Sequence, residues 1–443
     1  MFLSPELPMF LRVFLPMFLP MVSSRAIKSS AGFANMSRLI AILMLVATPA
    51  LAQQPATPAP TSGQVPGQAP PAARPPQGPQ RPQVQSPVVD GDKATFAIYA
   101  PKASEVKLSS GEIDRIVPGP NKAFTKGENG VWTLTVAPLL PGIYEYAIIV
   151  DDVSMADPSS PNVVGNVRGA RGTVEVPGPA GSPRHDEWRS TAHGSVTMHW
   201  YDSKATGTRR RVHVYTPPGY SASTKKYPVL YLLHGAGDND AHWAAIGRAN
   251  VVADNLLADG KMTPMVIAMT DGHAYRPQQG EQGGREKALK MFEDDLLGDV
   301  VPLVEKGYRV ETSRDRRAIA GLSMGGAQTL NVGLGHADRF AWIGAFSSAP
   351  GGVDAKIAAL ATNAAAFNKG SRLLWLRIGK DDFLLQQNRT LVESLKKAGI
   401  VHEYEEVEGA HMWGVWRQAL ADFLPMLFKP AGAAPAPSSA NQP

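Results

Sequence analysis

Residues 316–335 read RRAIAGLSMGGAQTLNVGLG, and this stretch decides the fold of the chain. The segment RRAIAGL is typical of a buried strand, and the segment GGAQTLNVGL that follows is typical of a helix. Between them lies Gly321-Leu322-Ser323-Met324-Gly325, a G-x-S-x-G pattern. A strand that turns so tightly into a helix requires glycine close to the turn, and the turn pushes the hydroxyl of Ser323 clear of the sheet.

Strands and helices alternate on both sides of this turn. The apolar strands are nearly continuous, which is typical of a mostly parallel sheet covered by helices on both faces. Residues 193–429 are therefore predicted to form a doubly wound α/β domain. The main predicted strands are 208–220, 227–235, 264–272, 316–323 and 372–382, and the main predicted helices are 250–261, 292–308, 388–399 and 414–428.

Residues 87–178 show a different pattern, with short runs in which apolar and polar residues alternate. The runs cover 94–101, 105–110, 130–139, 142–152 and 172–178, and Gly, Pro and Asn separate them. This pattern predicts a small β-sandwich, and no helical period is evident in it. The aromatic residues Trp132, Tyr144 and Tyr146 are interpreted first as packing residues of that sandwich.

The two ends of the chain are predicted to lie outside the folded domains. Within residues 1–52, Arg38, an apolar run from Leu39 to Ala47 and the small-residue pattern ending at Ala52 predict a cleaved secretory signal. Residues 53–86, rich in Pro and Gln, are predicted to be a disordered linker, and residues 430–443 a disordered tail. The expected location is periplasmic or secreted, with no stable membrane span after cleavage.

Composition excludes several classes of function. The net charge is +5 over 443 residues, and no long run of Lys or Arg indicates a nucleic-acid partner. The chain contains no cysteine, so thiolate nucleophiles and cysteine-ligated metals are excluded. Covalent chemistry must then use Ser, Thr, Lys or a carboxylate.

A serine nucleophile requires a histidine base and a carboxylate that orients the base. Downstream of Ser323, His336 falls at a helix end and His402 inside a strand, whereas His411 falls in a turn after a strand. A side chain in such a loop can reach over the edge of the sheet. His411 is therefore the predicted base.

The carboxylate is predicted at the end of the strand LLWLRIG, which leads into Asp381 and Asp382. Catalytic groups gather at the carboxyl ends of parallel strands, so either aspartate fits this role. Asp338 and Asp354 are weaker alternatives.

Two backbone N–H groups are predicted to stabilise the oxyanion, those of Met324 and Ala236. Met324 directly follows the nucleophile. Ala236 lies after the strand YPVLYLL in the loop HGAGD, whose glycine and alanine residues leave the backbone N–H groups accessible. The predicted chemistry requires no metal and no cofactor. Four residues on loops near the expected mouth of the site are possible substrate contacts: Trp243, Asp271, His273 and Trp413.

The phrases YLLHGAGDNDAHW, AIAGLSMGG, GKDDFLL and GAHMWGVWRQALADF together resemble the esterase-D-like group, which includes feruloyl esterases of carbohydrate esterase family 1. The resemblance covers about residues 195–428 and implies an α/β-hydrolase fold with Ser323, Asp382 and His411 as a triad. In that family the triad acid directly precedes a Phe-Leu pair, which selects Asp382 over Asp381. Residues 87–178 resemble the immunoglobulin-like modules related to family 48 carbohydrate-binding domains.

The leading hypothesis is a secreted serine esterase that acts through an acyl-enzyme on feruloyl or acetyl esters of cell-wall polysaccharides or oligosaccharides. The expected partner is an acylated carbohydrate or a small ester. A siderophore esterase of the enterochelin type, or an acyltransferase, would use the same triad. A non-catalytic polysaccharide-binding protein is the alternative from another class. The sequence does not assign the acyl group, the sugar or the oligomeric state.

Overall fold

The computed structural model describes residues 81–117, 123–167, 169–179 and 181–429. The predicted signal, most of the predicted linker and the predicted tail of residues 430–443 lie outside the described residues. Among the helices that are described, none combines the length and the apolar character needed to cross a membrane.

The first module contains two antiparallel sheets. One sheet has the strand order β1-β2-β5-β4 and the other has β3-β6-β9-β8, with β7 paired to β6. The strands are β1 Val88–Asp90, β2 Lys93–Tyr99, β3 Val106–Ser109, β4 Thr125–Lys126, β5 Val131–Val136, β6 Gly142–Val150, β7 Val153–Met155, β8 Val163–Asn166 and β9 Gly169–Val176.

Both sheets of the first module contribute to one core. Phe96, Trp132, Tyr146 and Val174 are buried together there, so the aromatic residues of this module do serve as packing residues. The expectation that the module lacks helix is wrong, because a short helix α1 spans Gly111–Ile116. Its first turn is capped by Ser110, whose Oγ accepts the N–H of Ile113. The immunoglobulin-like assignment stays a prediction.

The second module is built on one eight-stranded sheet with the order β10-β11-β13-β12-β14-β15-β16-β17. Its strands are β10 Ser195–Asp202, β11 Arg209–Thr216, β12 Val229–Leu233, β13 Val266–Thr270, β14 Arg317–Leu322, β15 Trp342–Phe346, β16 Leu373–Gly379 and β17 Glu403–Val407. Its helices are α2 His242–Ala245, α3 Ala249–Ala258, α4 Gly284–Asp295, α5 Val301–Gly307, α6 Met324–Gly335, α7 Asp354–Ala361, α8 Ala364–Gly370, α9 Leu385–Lys397 and α10 Trp413–Phe423.

Strands β10 and β11 are antiparallel to their neighbours, and the strands from β13 to β17 run parallel. Alternate side chains of β12 enter two different apolar cores, with Tyr231 in one and Leu232 in the other. Helices cover both faces of the sheet, which places their apolar sides against these cores. The predicted α/β architecture with a mostly parallel sheet is confirmed.

Two predicted helices differ from the structure near prolines. The helix predicted at 292–308 starts earlier, at Gly284, and it changes to a π-helical turn at Leu296–Val300 just before Pro302. The last helix ends at Phe423 and continues as a 3₁₀ turn, Leu424–Met426, which contains Pro425. Proline has no N–H for the helical hydrogen bond, so the regular α-helical ladder is interrupted at these positions.

A buried arginine links helix α10 to both modules. Arg417 is 3% exposed. Its Nε lies 2.7 Å from Oδ2 of Asp186, in the connection between the modules. The same guanidinium donates to the carbonyl of Ile246 at 3.1 Å and to that of Ile143, on β6, at 3.4 Å. Asp186 has a second cationic partner, Arg184, at 2.8 Å.

The substitution Arg417→Met should lower the free energy of unfolding by roughly 3 kcal/mol, because a buried carboxylate loses one of its cations. Urea unfolding followed by tryptophan fluorescence measures the change. Lys396→Met is the control, since Lys396 pairs with Glu393 on an exposed surface, and removing such a pair should have little effect. Equal destabilisation by the two substitutions would contradict the proposed importance of the buried pair.

Candidate active site

Ser323 occupies the tight turn between β14 and α6. Its φ of 52° lies in the left-handed region. A Cβ atom on Gly321 would lie 2.6 Å from the carbonyl oxygen of Gly325, and a Cβ on Gly325 would lie 2.6 Å from that of His234. Only glycine fits at these two positions. The backbone therefore closes tightly around Ser323 and directs its hydroxyl away from the sheet.

The structure brings His411 and Asp382 to Ser323. Nε2 of His411 lies 3.0 Å from Oγ of Ser323. Nδ1 of the same ring lies 2.9 Å from Oδ2 of Asp382 and 3.1 Å from Oδ1. The carboxylate accepts a hydrogen bond from Nδ1–H, which leaves the lone pair of Nε2 to accept the hydroxyl proton of Ser323. The three side chains thus form one hydrogen-bonded chain.

Asp382 is held as an anion in a buried position. Its side chain is fully buried, and Oδ1 also accepts the N–H of Leu384 at 2.9 Å. Burial alone would raise the pKa of Asp382, but the hydrogen bonds from His411 and from the Leu384 N–H outweigh burial and hold the pKa below its usual value. An ionised Asp382 can both orient His411 and stabilise its imidazolium form.

The other candidate bases and acids do not reach Ser323. His336 lies 3.1 Å from Glu293, and Nδ1 of His402 lies 2.8 Å from the carbonyl oxygen of Ile400. Asp381 is exposed beside Asp382. Asp354 is exposed in the first turn of helix α7.

The loop after β12 brings Ala236 to the same cavity as Ser323 and Met324. His234 fixes this loop: its Nδ1–H donates to the carbonyl of Gly235 at 2.8 Å, and its Nε2 accepts the N–H of Gly272 at 2.8 Å. Oδ2 of Asp238 accepts the N–H of Gly235 at 3.1 Å. Met324 begins helix α6, where backbone N–H groups lack partners within the helix. These positions suit the two predicted oxyanion donors.

A cavity of about 560 Å³ lies in front of Ser323. Its apolar wall includes Ala288, Leu289, Met324 and Ala327, and Val167 of the first module also lines it. Polar side chains, among them Arg276 and Arg285, also line the cavity, but most of its exposed surface is apolar. The cavity therefore offers an apolar space for an acyl group next to the nucleophile.

Of the four predicted substrate contacts, His273 lines this cavity. Asp271 is partly exposed beside it, and the Asp271 carboxylate accepts the N–H of His273 at 2.8 Å. Two predictions need correction, because Trp243 is 1% exposed and Trp413 is 4% exposed within the apolar core. Their helices turn both indoles inward, where the rings pack with centroids 5.2 Å apart.

Sequence reasoning missed two residues that position the walls of the site. Arg210, on β11, donates to the backbone carbonyls of Asp271 and His273 and pairs with the buried Asp295. Gln328, on α6, donates to the carbonyl of Gly272 at 2.8 Å. Arg210 lies in the run Arg209-Arg210-Arg211, and the signal in the sequence that sets it apart is its alternation with the apolar Val212 and Val214 on one face of β11.

Comparison with known proteins agrees with this geometry. The model of the Esterase family, described as "Putative esterase", matches residues 203–427. An endo-1,4-beta-xylanase/feruloyl esterase of Xylanibacter ruminicola is 31% identical over 79% of this chain and 47% of that protein. The chain thus spans about half the length of this relative. An acetyl esterase of Caldicellulosiruptor saccharolyticus is 26% identical over 45% of this chain and 83% of that protein.

Among solved structures, the enterochelin esterase of Shigella flexneri superposes with a TM-score of 0.55 at 19% identity. The alignment covers 75% of this chain and 91% of the Shigella chain, and it supports the α/β-hydrolase fold. The family match includes the turn at Ser323 as well as Asp382 and His411. The chain therefore belongs to the esterase family.

Proposed function

We propose that Ser323, His411 and Asp382 form the catalytic triad and that hydrolysis proceeds through an acyl-enzyme. The observation that carries this proposal is the hydrogen-bonded chain from Asp382 through His411 to Oγ of Ser323, which ends at an apolar cavity. A serine hydroxyl requires such a base to become nucleophilic near neutral pH.

The first half of the reaction forms the acyl-enzyme. Oγ of Ser323 attacks the ester carbonyl while Nε2 of His411 takes the hydroxyl proton. The N–H groups of Met324 and Ala236 stabilise the negative charge on the carbonyl oxygen. The bond to the alcohol then breaks, and the proton on Nε2 passes to the leaving oxygen.

The second half releases the acid. A water molecule gives a proton to Nε2 of His411 and attacks the acyl carbonyl, again with the oxyanion held by the two N–H groups. The bond to Oγ breaks, and Oγ recovers the proton from His411. Ester and water are consumed, carboxylic acid and alcohol are produced, and the enzyme returns to its starting state.

We infer that the substrate is an acylated cell-wall polysaccharide or oligosaccharide, with a feruloyl or acetyl group. The names of the Xylanibacter and Caldicellulosiruptor relatives support this substrate class. The apolar wall of Leu289 and Met324 suits the ring of an aromatic acyl group. Export of the protein is part of this proposal and is supported by the signal-like pattern before Ala52.

A panel of esters tests the substrate and the nucleophile together. We expect methyl ferulate or acetylated xylan to be cleaved faster than an enterochelin-type triester. Ser323→Ala should lower kcat by about 10⁴-fold or more while leaving polysaccharide binding and the thermal midpoint unchanged. Faster cleavage of the triester would favour the siderophore-ester alternative. Hydrolysis that survives Ser323→Ala would exclude the proposed mechanism.

The adjacent residues Asp381 and Asp382 allow two matched variants to be compared. Asp382→Asn should lower kcat by about 10⁴-fold, because the amide stabilises the wrong tautomer of His411. Asp381→Asn should change kcat by only a few-fold, since Asp381 is exposed and the carboxylate bonded to Nδ1 of His411 is that of Asp382. Steady-state kinetics on a chromogenic ester measures both. A large loss in Asp381→Asn with activity retained in Asp382→Asn would reverse the assignment.

The pocket histidine His273 should not contribute to the pH dependence near neutrality. Burial and the nearby ring of His234 lower its pKa to about 4, so His273 is neutral from about pH 5 upward. His273→Gln should therefore leave the shape of the kcat/KM profile unchanged between about pH 5 and pH 9. A lost or shifted ionisation in that range, absent from a His402→Gln control, would contradict this expectation.

A further inference from the structure

Three side chains from both modules converge beside the loop after β12. Glu145 comes from β6 of the first module, Asp238 from the loop itself, and His242 from helix α2. One potential ligand atom of each lies within 4.8 Å of the others. His242 is 1% exposed, and Oε1 of Glu145 is buried without a hydrogen-bond partner. None of these residues belongs to the triad.

The ring of His242 presents Nε2 to the two carboxylates. Oδ1 of Asn239 accepts the N–H of Ala241 at 2.9 Å, and Nδ2 of Asn239 donates to the carbonyl of Gly165 at 2.6 Å, so the orientation of this amide is fixed. Nδ1 of His242 lies 3.1 Å from this Oδ1 and also accepts the backbone N–H of Asn239 at 3.1 Å. A metal ion on Nε2 would place the ring proton on Nδ1, where Oδ1 of Asn239 can accept it. A hydrogen-bonded second ring nitrogen is the usual arrangement in metal-bound histidines.

The distances around Nε2 match ligand separations better than hydrogen bonds. Nε2 lies 3.8 Å from Oε1 of Glu145 and 3.7 Å from Oδ1 of Asp238. Nε2 is buried without a hydrogen-bond partner. Hydrogen bonds would bring these atoms to about 2.9 Å. Two ligand atoms on a tetrahedral zinc ion with bonds of about 2.1 Å lie about 3.4 Å apart.

Oε1 of Glu145 and the carboxylate of Asp238 lie close together in this buried position. Two buried carboxylates side by side are unfavourable unless a positive charge lies between them.

We propose that Glu145, Asp238 and His242 bind one divalent cation of the zinc type. An imidazole nitrogen with two carboxylate oxygens is a suitable ligand set for zinc, with water completing the tetrahedron. Oδ2 of Asp238 already holds the N–H of Gly235, so a cation on Oδ1 fixes the loop that carries Ala236. The site ties the first module to this loop. It takes no part in bond breaking, and it is independent of which ester is hydrolysed.

The experiment uses the full chain after treatment with a chelator and its removal. Zinc chloride is titrated at about pH 7.5 by isothermal calorimetry, with thermal unfolding in parallel. The wild type should bind one equivalent of zinc and unfold at a higher temperature with zinc present. Glu145→Gln keeps the size of the side chain and should weaken binding by at least about tenfold.

Glu175→Gln is the matched control. Glu175, on β9, also links the modules, through a 2.7 Å contact with Arg248, but it lies outside the cluster. It should bind zinc like the wild type. If Glu145→Gln unfolds too easily to be titrated, His242→Gln removes a different ligand and serves the same test. The proposal is overturned if the wild type binds no stoichiometric zinc, in which case a proton on Nε2 supplies the charge, or if zinc binds the cluster variants as tightly as the wild type.

Discussion

The reversal of the chain at Ser323 is the constraint on which the rest of the site depends. A left-handed backbone at a residue with a side chain costs about 1–3 kcal/mol, and the structure offsets this cost by tying the turn to the neighbouring strand. The N–H of Ser323 donates to the carbonyl of Phe346 at 2.9 Å, and the N–H of Ala349 donates to the carbonyl of Ser323 at 3.1 Å. Because β14 lies between β12 and β15, the hydroxyl is fixed near the middle of the sheet edge.

That central position explains how much of the site could be predicted from the sequence. Once β14 is recognised, the carboxyl ends of the parallel strands after it must reach the same edge, and the loops there carry Asp382 and His411. The choice between Asp381 and Asp382 could not be made from the strand pattern. It depends on which of the two adjacent side chains is buried, and the pattern places the end of a strand only to within a residue. The family resemblance selects Asp382, and in the structure Asp382 is the aspartate that contacts His411.

The remaining features depend on contacts between segments that are distant in the chain. Trp243 and Trp413 looked like mouth residues because they fall near loops, but each helix presents its indole to the core. Arg210 lies in a basic run that resembles an exposed surface, yet it pairs with Asp295, 85 residues away. Glu145 meets His242 only because the two modules pack together. The local pattern of apolar and polar residues does not indicate which distant segments pair.

The packing of the modules also bears on how the first module contributes to catalysis. The N–H of Val167 donates to the carbonyl of Gly237 at 3.2 Å, and Asn239 donates to the carbonyl of Gly165. Both contacts fall on the loop that carries Ala236. An oxyanion donor is effective only when it is held in place before the charge develops, because ordering it during the reaction would cost free energy. In the proposed mechanism, a module that restrains this loop at several points favours hydrolysis whether or not it binds sugar.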